Sequence, residues 1–531
     1  MLAAGVLAMG LTVPVHAQAT FTTLYNFNPN NASDGNTPVG ALTISGNTLY
    51  GTGTGGGTFG TGVIYSINTD GTGYTVLHSF SALTGTNNLP TNSDGATPES
   101  QLVLSGDTLY GTAFAGGKSG YGAIFSVKTD GSDFTTIHSF TGNDGGGPRA
   151  GLILSGNTLY GTATYGGASN HGTVFSLKTD GADVTVLHSF DGSDGSAPLA
   201  GLALSGATLY GATLQDGGLN NGTLFSIGTN GSGFTTLRNF SGSANDGGAP
   251  QAALIVFGTT LYGVTNGGGA NGTGTVFSLQ TNGSDFNILH SFGPLTGEYT
   301  NSDGYQPDGT LVLSGNTLYG MTMTGGTSGD GTIFSVETSG TNFSLLYTFT
   351  GGSDGDGAED GVILFGGVLY GVTSGTNPES EGTIFALNLN FSGPYEIQCV
   401  ASGLAANVKG GSDTNGAEII QWPFSGTGNE VWTFIPTSNG YYQINNIQSG
   451  LDLAVQNAST AEQAKIVQWS FGSTRDDQWK PELNSDGSYT LYNLKSGLAL
   501  DDPSGSASQG TQFDQWPTDG ETNQEFDLIP Q

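Results

Sequence analysis

Basic residues are scarce in this chain. Its 531 residues include 10 Lys and Arg against 43 Asp and Glu, which gives a formal net charge of −33. Such an excess of negative charge repels the phosphates of nucleic acids and the anionic surfaces of membranes. The composition therefore argues against both as partners, and we expect the protein to be a monomer in solution.

Cysteine is almost absent, since Cys399 is the one copy in the chain. A single thiol forms no disulfide within the chain, so a disulfide-stabilised fold is excluded and a buried thiol is expected at this position. The Cys and His spacings that mark metal sites are missing as well. We therefore predict no bound metal ion and no cofactor.

Long apolar runs are missing beyond the N-terminus. Leu2–Val13 is apolar and is followed by Ala17-Gln18-Ala19, the small-x-small pattern of a cleavage site, so residues 1–19 are predicted to be a secretory signal peptide. Pro14 and the shortness of the run argue against a membrane-spanning helix. No other segment has the length and hydropathy to cross a bilayer, which predicts a secreted, extracellular protein.

Internal repetition is the dominant feature of the sequence. The C-terminal positions that recur every 47 residues are Trp422, Trp469 and Trp516; Trp432, Trp479 and Phe526; and the Ser-Gly-Leu tripeptides that begin at Ser402, Ser449 and Ser496. Three equal units without an insertion predict a closed three-fold object built of short strands, which is a β-trefoil over residues 394–531. We expect the set Trp432, Trp479 and Phe526 to lie in its core.

These motifs resemble the ricin-B-type β-trefoil lectins, which also occur as carbohydrate-binding modules of secreted enzymes. In that family the sugar site of one lobe combines an acid, an aromatic ring that stacks on the sugar and a polar pair before the last aromatic. The resemblance implies a carbohydrate site in the third lobe, formed by Asp501, Asp514, Trp516, Asn523 and Gln524. The chemistry agrees, because an indole covers the C–H face of a sugar while carboxylates and amides bind its hydroxyls.

The other two lobes depart from this pattern. Lobe one has Asn407 at the position of the acid but keeps Trp422 and Asn429, which makes these three residues weaker candidates for sugar binding. Lobe two has Ala454 at the same position and a charged Asp-Asp pair in place of the polar pair. We therefore expect lobe three to dominate binding and lobe two to contribute least.

A second array occupies the first 390 residues. The tripeptide Leu-Tyr-Gly recurs seven times, with its tyrosine at Tyr50, Tyr110, Tyr160, Tyr210, Tyr262, Tyr319 and Tyr370. Around each copy, short apolar strands are bounded by Asn, Asp and Gly turns, with four strands to a repeat of roughly fifty residues, which is typical of a β-propeller blade. The chain is therefore predicted to be all-β, with a seven-bladed β-propeller over residues 20–390 followed by the β-trefoil.

The ends of this array predict how the ring closes. It opens with one strand, Phe21–Phe27, and its last copy stops after three strands at Gly382–Leu389. The first strand is therefore expected to complete the last blade and leave no free sheet edge. The repeats resemble the Gloeobacter/Verrucomicrobia-type (GloVer) extracellular tandem repeats over residues 20–390. That family is defined by its repeats and by surface anchoring, and it implies no catalytic residues.

Two sets of polar residues recur within the blades. Histidine occupies one strand position in four blades, where the other three have Tyr25, Arg238 and Tyr347, so a shared imidazole chemistry is not expected. An aspartate before glycine recurs in all seven repeats, at Asp34, Asp94, Asp144, Asp194, Asp246, Asp303 and Asp354. We interpret these aspartates as turn residues rather than as a rim that holds a cation.

Departures from the repeat are more informative about chemistry. The residues at the start of the predicted inner strands are Val39, Glu99, Arg149, Leu199, Gln251, Asp308 and Glu359. If the strand order is as predicted, they surround one mouth of the central channel. In an enzyme, Glu99, Asp308 and Glu359 would be the catalytic candidates. The alternative is that they are solvated loop residues.

The leading interpretation of function is a secreted carbohydrate-binding protein. Its trefoil would bind a polysaccharide or glycan, which would retain it at the cell surface, and its propeller would be a scaffold or a second binding platform. One alternative is a propeller glycoside hydrolase or polysaccharide lyase with the trefoil as its carbohydrate-binding module. Another is a surface-matrix or adhesion protein. The lack of a recognisable set of acid and base residues favours the first.

Overall fold

The computed structural model describes residues 19–28, 34–85, 89–375, 381–389, 391, 394–437, 441–472, 474–484 and 488–531. The predicted signal peptide therefore lies outside the described residues except for Ala19. The described chain is all-β apart from five single-turn 3-10 helices, and none of its helices is long and apolar enough to span a membrane. It forms two compact units, Phe21–Leu387 and one that contains Asn388–Gln531.

The first unit contains seven blade sheets, six with four strands and one with five, and these are the seven blades of a β-propeller. The innermost strands of blades 1 to 7 are Thr43–Ser45, Val103–Ser105, Ile153–Ser155, Ala203–Ser205, Ile255–Phe257, Val312–Ser314 and Ile363–Phe365. The second strands are Thr48–Gly56, Thr108–Ala113, Thr158–Ala163, Thr208–Thr213, Thr260–Thr265, Thr317–Thr322 and Val368–Thr373. This confirms the predicted fold and blade number.

The two outer strands recur in every blade, as the two inner strands do. The third strands are Val63–Asn68, Ala123–Lys128, Thr173–Lys178, Thr223–Gly228, Thr275–Gln280, Thr332–Glu337 and Thr383–Asn388. The outermost strands of blades 1 to 6 are Thr75–Ser79, Thr135–Ser139, Thr185–Ser189, Thr235–Asn239, Asn287–Ser291 and Ser344–Thr348, and that of blade 7 is Thr20–Asn26. Two short ladders join Gly35–Pro38 to the second strand of blade 1 and Gly247–Gly248 to Gly267–Gly268.

Neighbouring blades pack face to face, which explains why the third strands are buried almost along their whole length. Tyr160, Val174 and Phe190 of blade 3 form one cluster with Leu209 and Phe225 of blade 4. Equivalent clusters recur around the ring. Because the apolar side chains lie between sheets, each blade depends on its neighbours for its core.

The recurrent aspartates bond to the variable residue of the outermost strand. The pairs are Tyr25–Asp34, His78–Asp94, His138–Asp144, His188–Asp194, Arg238–Asp246, His290–Asp303 and Tyr347–Asp354, with contacts of 2.7–3.2 Å. Burial alone would raise the pKa of Asp144, but hydrogen bonds from His138 and Thr141 lower it to about 2. These aspartates hold each turn against its outer strand, as the turn interpretation expects.

Blade 7 is completed by the first strand, as predicted. Thr20–Asn26 lies beside Thr383–Asn388, and the Phe27 amide donates to the carbonyl of Gly382 over 3.1 Å. Phe21 stacks on Tyr347 with ring centroids 4.1 Å apart. Pro38 of the first blade also packs closely against Gly382 of the last blade. The contact is so tight that a Cβ added at Gly382 would lie 2.6 Å from the Pro38 Cδ. The two ends of the array are thus joined through both backbone and side chains.

The second unit is a twelve-stranded β-trefoil. The strands of lobe one are Pro394–Cys399, Ala405–Val408, Ile419–Trp422 and Val431–Pro436; those of lobe two are Tyr442–Asn446, Asp452–Val455, Ile466–Trp469 and Gln478–Leu483; those of lobe three are Tyr489–Asn493, Ala499–Asp501, Asp514–Trp516 and Phe526–Pro530. The 3-10 turns are Lys409–Gly411, Gly428–Glu430, Gln456–Ala458, Pro503–Gly505 and Thr522–Gln524. The first and last strands pair with Glu396 opposite Ile529, which closes the barrel.

The trefoil core contains the predicted aromatic set. Trp432, Trp479 and Phe526 are 0% exposed and pack into one cluster. The two buried indole N–H groups donate to the carbonyls of Ala406 and Leu453, over 2.9 and 2.8 Å. Burial of a tryptophan requires such a partner, and the equivalent bonds in two lobes show that the 47-residue repeat is a structural one.

Candidate functional site

The carboxylates of lobe three lie on two neighbouring strands. Asp501 ends the strand Ala499–Asp501 and stands directly opposite Asp514 in the antiparallel strand Asp514–Trp516. Both carboxylates are buried, while Trp516, two residues beyond Asp514, is partly exposed. The alternation of a strand therefore places an acid and an indole on the same face of the hairpin.

Asp501 is held by the polar pair that follows it. Its Oδ1 accepts hydrogen bonds from Asn523 Nδ2 at 2.8 Å and from Gln524 Nε2 at 3.0 Å. Gln524 is fully buried and donates also to the Pro517 carbonyl. Gln524 thus lies beneath the carboxylate and orients it, whereas Asn523 stands at the surface of the site.

Asp514 is only partly paired. Its Oδ2 accepts from the Lys465 ammonium at 3.0 Å, but its buried Oδ1 has no hydrogen-bond partner in the described part of the chain. A buried carboxylate oxygen without a partner is costly, and an empty acceptor in a groove is a group for a ligand to satisfy. Burial, and after it the charge of Asp514, raises the pKa of Asp501 to about 6.

A groove of about 830 Å³ opens above these residues. The predicted residues that line it are Asp501, Asp514, Trp516 and Asn523, which the structure brings together as the sequence analysis expected. Other lining residues escaped the sequence analysis, and the four with a charged or long polar side chain are Gln463, Lys465, Asp519 and Glu521. Gln463 and Lys465 belong to lobe two, so a comparison made lobe by lobe overlooks them. A comparison of positions 47 residues apart could have found them, because Gln463 and Lys465 both differ from the residues at the equivalent positions of the other two lobes.

Lobe one has the equivalent side-chain hydrogen bond, but with the donor and the acceptor exchanged. Asn407 Nδ2 donates to Glu430 Oε1 at 2.9 Å, so the amide and the carboxylate have exchanged positions relative to Asp501 and Gln524. Asn429 donates to the Val408 carbonyl at 3.3 Å, and the Trp422 side chain is 42% exposed. Lobe one therefore keeps a stacking surface but has no carboxylate facing a ligand.

Lobe two lacks the central acceptor altogether. Ala454 provides no oxygen, and Asp477 Oδ1 is buried without a hydrogen-bond partner among the described residues. Trp469 is 49% exposed. The indole is thus the one element of the site pattern that lobe two retains.

A second cluster of carboxyl groups lies in the propeller. The seven predicted channel residues each lie four positions before an inner strand, and all seven line one central cavity of about 240 Å³, together with Asp360. Arg149 Nε lies 2.8 Å from Glu99 Oε2, and Ser374 donates to Glu359 at 3.1 Å. The structure therefore assembles Glu99, Asp308 and Glu359 at the channel, as their sequence positions suggested.

The channel acids share a low-dielectric environment. Burial, and after it the charge of Asp360, raises the pKa of Asp308 to about 7. Burial likewise raises the pKa of Asp360 to about 7 and that of Glu99 above its usual value. Perturbed pKa values are common at functional sites. Within the residues that the structure describes, no group of three or more His, Cys, Asp and Glu side chains could hold a metal ion.

Comparison with known families places both units. The Gloeobacter/Verrucomicrobia repeat matches residues 84–277 and 260–407, and the ricin-type β-trefoil lectin domain-like family matches residues 385–469 and 475–531. The molecule is thus a tandem-repeat β-propeller joined to a lectin-type trefoil. More particularly, the chain belongs to the Gloeobacter/Verrucomicrobia repeat family and carries a ricin-type lectin-like domain at its C-terminus. Both predicted resemblances are confirmed.

Solved structures also resemble parts of the chain. The designed three-fold symmetric protein ThreeFoil is 34% identical over 26% of this chain and 100% of its own, with a TM-score of 0.26. The C-half of an earthworm R-type lectin, solved with GalNAc, is 18% identical over 26% of this chain and 100% of its own, with a TM-score of 0.23. An exo-β-1,3-galactanase from Clostridium thermocellum is 17% identical over 81% of this chain and 95% of its own, with a TM-score of 0.31. No curated protein matches the chain.

Proposed function

We propose that this chain is a secreted carbohydrate-binding protein whose lobe-three groove binds a glycan or polysaccharide. The observation that carries the proposal is the convergence of Trp516, Asp501, Asp514 and Asn523 on one groove. An indole offers a face for the C–H side of a sugar, and the carboxylates and the amide offer acceptors and donors for its hydroxyls. The propeller serves as a scaffold or a second binding platform.

The charge of the groove favours an uncharged glycan. Asp501, Asp514, Asp519 and Glu521 line it, against the single cation Lys465, whose ammonium already pairs with Asp514. Like charges brought together at a binding site cost affinity. Glycans rich in uronic acids or sulfate are therefore disfavoured. Binding to a neutral surface polysaccharide would retain the secreted, monomeric protein at the cell surface.

A glycan array tests this proposal. The chain from residue 20 onward is labelled and applied to neutral and acidic polysaccharides, with Trp516→Ala as the matched variant. We expect signals on neutral glycans that the variant loses, and weak or no signals on acidic ones. No signal on any glycan would overturn the proposal and leave the trefoil as a module for protein contacts.

A second candidate function is a glycoside hydrolase or polysaccharide lyase in the propeller channel. The observation in its favour is the cluster of Glu99, Asp308 and Glu359 in one cavity, where the raised pKa of Asp308 suits a general acid near neutral pH. The test is release of reducing ends, or of unsaturated ends, from a polysaccharide panel by the parent chain and by Glu99→Gln, Asp308→Asn and Glu359→Gln. Activity that persists unchanged in all three variants would eliminate this site.

A further inference from the structure

The groove of lobe three is built from two lobes, and its second half has no counterpart elsewhere in the trefoil. Gln463 and Lys465 of lobe two line the groove beside Trp516. The positions 47 residues before and after Gln463 are Gly416 and Gly510. A long polar side chain therefore stands next to the indole of lobe three, where the other two lobes have none.

The backbone shows where this side chain starts. The amide of Gln463 donates to the carbonyl of Gln515 at 2.8 Å, and the equivalent glycines make the same bond in the other lobes. A Cβ added at Gly416 would lie 3.3 Å from the Trp469 ring, and one at Gly510 would lie 3.9 Å from the Trp422 ring. By the same register, the Gln463 side chain leaves the backbone at the edge of the Trp516 ring.

Glutamine is held in this position against its backbone preference. Gln463 has a φ of 63°, in the left-handed region that costs a non-glycine residue, while Gly416 and Gly510 each have a φ of 86°. The Gln463 side chain is exposed in the groove. An exposed residue that adds backbone strain at the rim of a groove is better explained by contact with a ligand than by folding.

Lys465 is equally specific to this groove. It pairs across strands with Asp514, whereas the equivalent pairs are Glu418 with Val467 and Gln512 with Ile420. One of its three N–H donors is used by Asp514, and its side chain is 41% exposed. Lys465 therefore offers further donors to a ligand in the groove, from the side of Asp514.

We propose that the lobe-three groove holds two linked neutral sugar units, one over Trp516 and Asp501 and the next beside Gln463 and Lys465. This inference rests on the proposed carbohydrate binding and adds the size of the ligand and two specificity-determining residues. The volume of about 830 Å³ agrees, because clefts of about 300–1,000 Å³ hold ligands of drug size. The amide of Gln463 can donate to one hydroxyl and accept from another.

Calorimetric titration of the full chain with the mono-, di- and trisaccharides of the glucose, galactose and xylose series tests the proposal. The parent should bind a disaccharide more tightly than its monosaccharide. In Gln463→Gly the disaccharide affinity should fall about 3- to 10-fold, the effect of one or two lost hydrogen bonds, while the monosaccharide affinity should fall clearly less. The substitution introduces the residue of the other two lobes at a left-handed position, so the variant should fold at least as stably as the parent.

Lys465→Gln is the second variant, since glutamine stands at the equivalent Gln512. Disaccharides that bind no more tightly than monosaccharides would overturn the two-unit site. So would a Gln463→Gly variant that binds disaccharides as the parent does, or that loses both ligands equally. If no saccharide binds the parent, the proposed function itself falls and this inference falls with it.

Discussion

At the scale of single residues, the carboxyl groups of lobe three differ from ordinary surface acids. Burial, followed by the charges of Asp501 and Asp514, raises the pKa of Asp502 to about 7. The side chain of Asp502 is fully buried and accepts a hydrogen bond from Gln421 at 3.1 Å. Its protonation therefore depends on the fold, and the stability of the fold must depend on its protonation.

The first prediction is that the protein is more stable at pH 5 than at pH 7.5. Asp501, Asp502 and Asp308 have pKa values of about 6, 7 and 7 in the folded state, against 3.8 for an ordinary Asp. At a pH between the unfolded-state and folded-state pKa values, the folded state binds more protons than the unfolded state. The free energy of unfolding therefore falls as pH rises through the folded-state pKa values. Differential scanning calorimetry of the full chain at the two pH values measures this.

Asp502→Asn is the matched control for that measurement, because asparagine keeps the acceptor for Gln421 but cannot ionise. Its unfolding midpoint should change less between pH 5 and pH 7.5 than that of the parent. A parent midpoint that is constant, or that rises with pH over this interval, would contradict the assignment of buried protonated carboxyl groups.

The second prediction concerns the three repeated tryptophans. Trp516→Ala should remove nearly all measurable glycan affinity, since truncating a central aromatic contact costs about 2–4 kcal/mol of binding free energy. Trp469→Ala should have a far smaller effect, because lobe two has Ala454 in place of the acid. Calorimetry with a glycan identified on the array compares the two variants.

Both tryptophan variants need a check of folding by their unfolding midpoints. Trp469 is 49% exposed and Trp516 is partly exposed, so truncation of either indole should not disturb the core. Loss of binding in Trp469→Ala together with intact binding in folded Trp516→Ala would show that the ranking of the lobes is wrong.

At the scale of strands and loops, the fold could be predicted because its repeats are in phase. The seven Leu-Tyr-Gly tripeptides fixed the blade number, and the missing fourth strand of the last copy indicated how Thr20–Asn26 closes the ring. The length of a repeat can be read directly from the sequence, since each copy of a strand has the same pattern of buried residues. The buried aromatic set at Trp432, Trp479 and Phe526 followed from the same register.

The site could be predicted only within one lobe. Asp501, Asp514, Trp516 and Asn523 belong to a single repeat, and the structure does bring them to one groove. Gln463 and Lys465 reach that groove from the preceding repeat, and their approach depends on how the lobes pair. The sequence analysis predicts that Gln524 contacts the ligand, whereas its hydrogen bonds place it beneath Asp501. This difference could not be predicted, because sequence does not reveal which side of a carboxylate a neighbouring residue occupies.

The third prediction is that removal of the first strand destabilises the propeller. Without residues 20–28, Thr383–Asn388 becomes an unpaired edge, and the stacking of Phe21 on Tyr347 is lost. An exposed edge strand promotes association. The deleted protein should unfold at lower temperature and form oligomers, as measured by calorimetry and by light scattering.

A synthetic peptide with the sequence of residues 20–28 provides the control, since it should bind the open edge and restore part of the lost stability. The closed ring would be contradicted by a deleted protein that is as stable and as monomeric as the parent.

At the scale of the whole molecule, each unit closes on itself. The propeller joins its first strand to its last blade, and the trefoil pairs Glu396 of its first strand with Ile529 of its last. Among the strands that the structure describes, each closure uses strands of its own unit. Each unit has its own hydrophobic core, which is the physical definition of a domain.

The fourth prediction is therefore that the chain separates at Asn388–Gly393, a segment of which Asn390, Ser392 and Gly393 lie outside the described residues. Residues 394–531 should fold alone and show one cooperative unfolding transition, because the core around Trp432 and Trp479 lies within the fragment. Circular dichroism during heating measures the transition. A fragment that melts without cooperativity would show that the two units depend on each other.

The most direct test of the whole account is calorimetric titration of an array-selected neutral glycan into the full chain and into Asp501→Ala. Lobe two has alanine at the equivalent position, Ala454, and folds without an acid there. The Asp501→Ala variant should therefore fold as well. The account predicts saturable binding by the parent and its loss in the folded variant, because Asp501 is the acceptor that Asn523 and Gln524 hold in place. Equal affinity of parent and variant would contradict it.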